Sequence, residues 1–167
     1  MVDDAELLTL AQRLGESLQA KGWVLALAES CTGGWAAQSI TAIAGSSTWF
    51  DRGFVTYSNI AKQQMLGVGA ETLQQYGAVS EETAQEMALG ALAYSTADIS
   101  AAITGIAGPD GGSREKPVGT VCFGWSSKDG HILTHREVFS GDREAVRKQS
   151  VKTALTGLLK LTLGTDL

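Results

Sequence analysis

The sequence is poor in the residues on which several common functional classes depend. It has only two cysteines, Cys31 and Cys122, without CxxC spacing. That excludes a disulfide framework and a zinc site, and both read as reduced thiols. The only histidines, His131 and His135, stand among alternating polar neighbours, which marks them as surface residues of a late hairpin rather than catalytic bases. No apolar run approaches the roughly 20 residues that span a bilayer. The N-terminus carries Asp3, Asp4 and Glu6 and has neither the basic start nor the apolar centre of a signal peptide. Excess positive charge is missing too: a formal charge of −5 and a pI near 5.0 leave no footprint for nucleic acid or an anionic membrane. These absences predict a soluble, cytoplasmic protein.

What is present is an ordinary globular composition, 44% hydrophobic and 19% charged over 167 residues, which fits one domain over residues 1–167. Leu7, Leu8, Leu10, Ala11, Leu14 and Leu18 recur at helical spacing between Asp3 and Ala20, and Lys21-Gly22 supplies a stop. A short apolar run, Val24 to Glu29, has strand length. It empties into Ser30-Cys31-Thr32-Gly33-Gly34, from which Trp35 to Ile43 reads as a helix with Thr32 as its N-cap. Trp49 to Tyr57 has the β-branched and aromatic content of a second strand, and Asn59 is expected to cap the next helix. Helical signal then runs from Met65 to Tyr76, interrupted at Gly67, and Ser80-Glu81-Glu82 opens a helix to about Tyr94. Ile99 to Ile106 reads as a buried strand. Val118 to Ser126 and His131 to Phe139 form a hairpin across Lys128-Asp129-Gly130. The last helix starts after Asp142, with Val146, Val151, Leu155, Leu158 and Leu159 facing inward. Helices alternating with strands and ending in a hairpin predict an α/β layered domain with a mixed parallel and antiparallel sheet.

Polar residues and glycines gather just after two of these strands, where open α/β sheets bind ligands. In the first loop Ser30 sits at a strand-to-helix turn, so its hydroxyl projects from the sheet edge beside backbone N–H groups able to meet an oxyanion. The competing reading makes Ser30 and Thr32 simple caps and Gly33-Gly34 a packing device. A serine nucleophile needs a base, and Lys62 is the candidate. With Asn59 as N-cap, Lys62 falls at the third helical position, where the helix dipole and partial burial both lower an ammonium pKa. Its competing role is a solvated helix lysine. Tyr57 is placed to hydrogen-bond the lysine or the serine, or to pack as an aromatic strand residue. The second loop, Thr104 to Gly112, lacks the Lys-Ser/Thr of a P-loop and the spacing of a dinucleotide fingerprint. Gly105, Gly108 and the Thr104 hydroxyl nevertheless suit close wrapping of a small ligand. Arg143 in the first turn of the last helix works against the dipole unless an anion compensates it. A phosphate does so, as does pairing with Glu144 or Asp142.

Taken together, Ala28 to Gly34, Tyr57-Ser58-Asn59 with Lys62 and Leu66-Gly67-Val68, Gly77 to Glu81, and Thr104 to Gly112 with Lys116 to Val121 closely resemble the CinA C-terminal domain family. The resemblance covers nearly the whole chain and points to stand-alone members that hydrolyse nicotinamide mononucleotide. It implies a three-layer α/β/α sandwich and conversion of that nucleotide to nicotinate mononucleotide and ammonia, a salvage step of the pyridine nucleotide cycle. No metal and no cofactor are implied. Carried residue by residue, it implies Ser30 as nucleophile, Lys62 as base and Tyr57 as a supporting group. Thr32, Gly33, Gly34, Asn59, Thr104, Gly105, Gly108 and Arg143 are the expected substrate-binding positions. The family habit of forming homo-oligomers implies a homodimer. The alternative is a non-catalytic nucleotide-binding or interaction module, which would keep the glycine loops without needing Ser30 and Lys62 together. A second alternative is an amidase for a different carboxamide.

Overall fold

The computed structural model describes residues 1–166. Its six α-helices and five strands follow the order α1 (Asp4–Lys21), β1 (Leu25–Glu29), α2 (Trp35–Thr41), β2 (Phe50–Val55), α3 (Asn59–Leu66), α4 (Ala70–Tyr76), α5 (Glu81–Ala93), β3 (Ile99–Gly105), β4 (Thr120–Ser127), β5 (Ile132–Val138) and α6 (Arg143–Leu163). The strands form one sheet in the order β2-β1-β3-β4-β5. β1 pairs in parallel with β2 and β3, and β4 and β5 each run antiparallel to their predecessors. The mixed sheet expected from the hairpin is therefore present, with helices on both faces.

Strand alternation sorts the two cores. Leu25 and Leu27 of β1, Ile99, Ala101 and Ile103 of β3, and Val121, Phe123 and Trp125 of β4 face α1, α2 and α6. Ala26, Ala28 and Ala102 point the other way, toward Leu66 of α3, Leu73 of α4 and Met87, Ala88 and Ala91 of α5. Successive residues of a strand face opposite sides, so one face is built of large side chains and the other of small ones. The small face lets α5 ride close to the sheet. A Cβ on Gly124 would collide with the Ala84 carbonyl, and Ser100 Oγ donates to Ala88 O at 2.7 Å.

Helix boundaries follow local capping chemistry. Asp3, Ser80 and Asp142 accept hydrogen bonds from N–H groups of Glu6, Thr83 and Ala145, fixing the starts of α1, α5 and α6. Two expected caps are corrected. Ser58, one residue before Asn59, caps α3 by accepting from Ala61 N at 3.1 Å. α2 begins after Gly34, and the Thr32 side chain caps nothing. Helical signal around Gly67 proves to be two helices, because Gly67 closes α3 with φ 68° and α4 begins only at Ala70. The second strand is shorter than its aromatic content suggested, Phe50–Val55 rather than 49–57, since Thr56 and Tyr57 already turn toward α3.

The sheet order places the site. β1 lies between β2 and β3, so the chain leaves the carboxyl end of β1 to one side and returns on the other; such reversals open a crevice at the strand ends. The residues after β1, β2 and β3 emerge at one edge, and α6, which follows the co-directional β5, starts there too.

The close approach of α5 to α3 generates a test. A Cβ on Gly90 would overlap the Leu66 carbonyl at the end of α3. Gly90→Ala should cost about 2 kcal/mol by overpacking, read as a lower urea midpoint with unchanged slope. An unchanged midpoint would contradict this packing of α5 on α3.

Candidate functional site

Ser30 follows the last residue of β1, held by its N–H donating to Ile103 O at 2.9 Å. Lys62 approaches from α3 on the other side of the edge. Its Nζ lies 3.0 Å from Ser30 Oγ and 2.9 Å from Thr56 O. The lysine is only 2% exposed, and no carboxylate lies within 4.0 Å of its amine among the described residues. Burial without a counter-charge favours the neutral amine, and the Lys62 pKa is lowered from 10.5 by desolvation. With Ser58 as the cap, Lys62 occupies the fourth helical position rather than the third. Desolvation, not the helix terminus, is therefore the main cause.

The neighbouring thiol is no rival nucleophile. Cys31 is buried, which pushes its pKa up to about 12, so it stays protonated near neutral pH. The turn that carries both residues is braced by two charged groups that sequence reasoning assigned no role. Glu29, 1% exposed, accepts from Thr32 Oγ1 at 2.7 Å and from Ala36 N and Ala37 N at 2.9 and 3.0 Å. Its carboxylate thus satisfies the first turn of α2 from the end of β1. Arg147, on α6, donates from Nε to Cys31 O at 3.0 Å and from Nη2 to Thr32 O at 3.1 Å. An acid ending an otherwise apolar strand was a visible cue for Glu29. Arg147 had only its four-residue spacing from Arg143, because its partners lie over a hundred positions earlier.

Within the turn, Gly33 N donates to Ser30 O and Trp35 N to Thr32 O. The N–H groups of Cys31, Thr32 and Gly34 find no acceptor among the described residues. Unengaged backbone N–H groups in the turn that follows a serine are donors that a developing oxyanion can use.

The remaining expected positions divide. The Thr32 hydroxyl is committed to Glu29, and the Thr104 hydroxyl donates to Ala78 O at 2.7 Å, so both bind protein. Gly105 serves close packing, since a Cβ there would lie 3.1 Å from Cys31 Sγ. Gly33, with φ 58°, and Asn59 are exposed at the edge. The Gly34 backbone, with φ 101°, begins α2. Tyr57 is 63% exposed, and its hydroxyl accepts from Arg143 Nη2 at 2.9 Å rather than meeting Lys62 or Ser30. Arg143 also donates from Nη1 to Gly108 O at 2.7 Å and pairs with neither Asp142 nor Glu144. The guanidinium thereby ties the ends of β2 and β3 to the start of α6. His131 and His135 pair with Asp129 and Glu137 on the exposed hairpin. No group of three metal-binding side chains gathers among the described residues, and no described helix is long and apolar enough to cross a membrane.

Comparison with known proteins places this geometry among relatives. The CinA C-terminal domain profile matches residues 7–162. The chain is 60% identical over 155 residues to a protein of Enterobacter agglomerans named nicotinamide-nucleotide amidohydrolase PncC, covering 90% of this chain and 94% of that one. A CinA-like protein of Syntrophobacter fumaroxidans is 50% identical over 147 residues, which are 87% of this chain but 34% of that longer one. The crystal structure of competence/damage inducible protein CihA from Agrobacterium tumefaciens superposes with a TM-score of 0.92 at 48% identity, covering 96% of this chain and 97% of that one.

The buried amine makes stability depend on pH in a defined direction. Below 10.5 the unfolded chain carries a protonated lysine that the fold resists, so this penalty is complete below the folded pKa and relieved as pH rises to 10.5. Wild type should gain stability relative to Lys62→Met between about pH 7 and about pH 10 in urea melts. Parallel pH curves would show that the amine is charged in the fold.

Proposed function

The chain belongs to the CinA C-terminal domain family, and on that premise we propose that it hydrolyses the carboxamide of nicotinamide mononucleotide through a Ser30 acyl-enzyme, with Lys62 as general base. The observation that carries this reading is the 3.0 Å approach of a buried, counter-ion-free amine to a serine hydroxyl. The relatives named nicotinamide-nucleotide amidohydrolase supply the substrate.

In the reaction, the neutral Lys62 amine accepts the Ser30 proton as Oγ bonds to the carboxamide carbon, and the carbonyl oxygen becomes an oxyanion facing the turn N–H groups. Collapse of the tetrahedral species breaks the C–N bond, and the Lys62 ammonium delivers its proton so that ammonia leaves. Lys62, neutral again, takes a proton from water as the water oxygen attacks the ester carbon. Breaking the ester returns that proton to Ser30 and releases the nicotinate nucleotide. Holding Lys62 by the Thr56 carbonyl keeps the amine within reach through both halves of the cycle.

Recognition falls to the exposed residues of the same edge. Tyr57 offers an aromatic face suited to a cationic pyridinium ring. Arg143, at the start of α6 and without a carboxylate partner, is the side chain suited to the 5′-phosphate, with Gly108 beside it. We place the reaction in the cytoplasm, within a single domain over residues 1–167.

Ammonia release from nicotinamide mononucleotide tests the chemistry. Ser30→Ala and Lys62→Ala should each lower kcat at least about a thousandfold while remaining folded. Wild-type turnover in both folded variants would reject the Ser30 and Lys62 mechanism, no turnover by the wild type itself would leave only a nucleotide-binding module, and faster release from free nicotinamide or glutamine would reject the substrate. Arg143→Ala should raise KM about tenfold or more for the mononucleotide, with a smaller change in kcat. An unchanged KM would remove Arg143 from phosphate recognition.

A further inference from the structure

Arg147 stands in an unusual setting for a half-buried cation. Among the described residues no carboxylate lies within 4.0 Å of it. Its polar partners are two consecutive main-chain carbonyls, Cys31 O and Thr32 O, and its guanidinium carbon stands 5.3 Å from the centre of the Trp35 ring. Lys148 approaches the same ring at 5.6 Å but is itself paired with Asp4 at 2.9 Å.

The carbonyl and N–H of one trans peptide point in opposite directions. Fixing the Cys31 carbonyl toward α6 therefore fixes the Thr32 N–H away from it, and that N–H has no acceptor among the described residues. The following peptide is pinned as well, since Thr32 O accepts from both Arg147 and Trp35 N while Gly33 N donates to Ser30 O. A cation bonded to a carbonyl oxygen also draws electron density along the peptide, which makes the opposite N–H a stronger donor. Glu29 braces the next turn through Ala36 N and Ala37 N, so the segment is held by its carbonyls on one side and its N–H groups on the other.

We propose that Arg147 is a positioning residue for amide hydrolysis, which orients and polarises the peptide units after Ser30 so that the free Thr32 N–H stabilises the tetrahedral oxyanion. The proposal rests on the Ser30 acyl-enzyme reading. It requires that Arg147 act on the transition state rather than on substrate affinity or on the Lys62 pKa.

The test compares Arg147→Ala, Arg147→Lys and Ser30→Ala, each with nicotinamide mononucleotide. Arg147→Ala should lower kcat about ten- to a hundredfold, less than complete loss of an oxyanion donor, with KM moved less than about threefold. The acid limb of its kcat–pH profile should keep the wild-type midpoint, because Lys62 is untouched. Millimolar guanidinium ion should restore part of the lost kcat to Arg147→Ala and none to Ser30→Ala, a response that a purely structural arginine would not give. If Arg147→Ala does not fold, Arg147→Lys decides by the same division, since lysine keeps the charge but cannot span two carbonyls. Wild-type kcat in the folded variant, a loss lying wholly in KM, or a shifted pH midpoint would overturn the proposal. If Ser30→Ala is also fully active, the acyl-enzyme reading has failed; if Ser30→Ala is inactive while Arg147→Ala is unimpaired, only the role of Arg147 has.

Discussion

An amine buried against a hydroxyl, with no anion to balance it, is the constraint around which the carboxyl edge of this sheet is arranged. An ammonium in that position would lose most of its hydration, and the neighbouring groups, a serine oxygen and the Thr56 carbonyl, replace only part of it. A carboxylate beside it would stabilise the ammonium, leaving no free lone pair to take the serine proton near neutral pH. The acid nearest in sequence to the serine, Glu29, is instead turned toward α2, where three donors hold its oxygens. One edge therefore contains an acid and a base that do not neutralise each other, because each is committed to different main-chain groups.

The layers make this separation durable. β1 is buried along its whole length and carries Glu29 at its end, and it is flanked on both sides by parallel strands. α5 is seated on alanines and glycine, which brings α3, and Lys62 with it, close to the sheet. α6 is anchored through Trp125, whose indole N–H donates to Ala154 O at 3.1 Å, and it presents Arg143 and Arg147 from its first two turns. Packing on both faces thus converges on one line of backbone, from Glu29 to Trp35.

Much of this was legible in the sequence. The apolar run ending at Glu29, the Asp-Gly hairpin and the caps Ser80 and Asp142 are local signals, and local chemistry decided those elements. Ser58 in place of Asn59 shows how narrowly such signals discriminate, since both residues are good caps and only the entry of the chain from β2 selects one. The pairing of Ser30 with Lys62 followed from residue type and a family resemblance, and the fold supplied the distance. Tyr57 meeting Arg143, and Arg147 meeting the Cys31 and Thr32 carbonyls, were not legible. Those contacts join residues 86 to 116 positions apart through the placement of α6, which depends on the whole sheet order.

Sorting the edge by exposure gives it a rigid half and an open half. Glu29 and Lys62 sit in the interior, whereas Tyr57, Asn59 and Arg143 stand in solvent. On the proposed mechanism, the base is therefore encoded where almost any substitution disturbs packing, and the proposed ligand contacts are encoded where substitutions are tolerated. A lineage with this architecture can drift toward new carboxamides by rewriting its rim while the engine beneath stays unaltered.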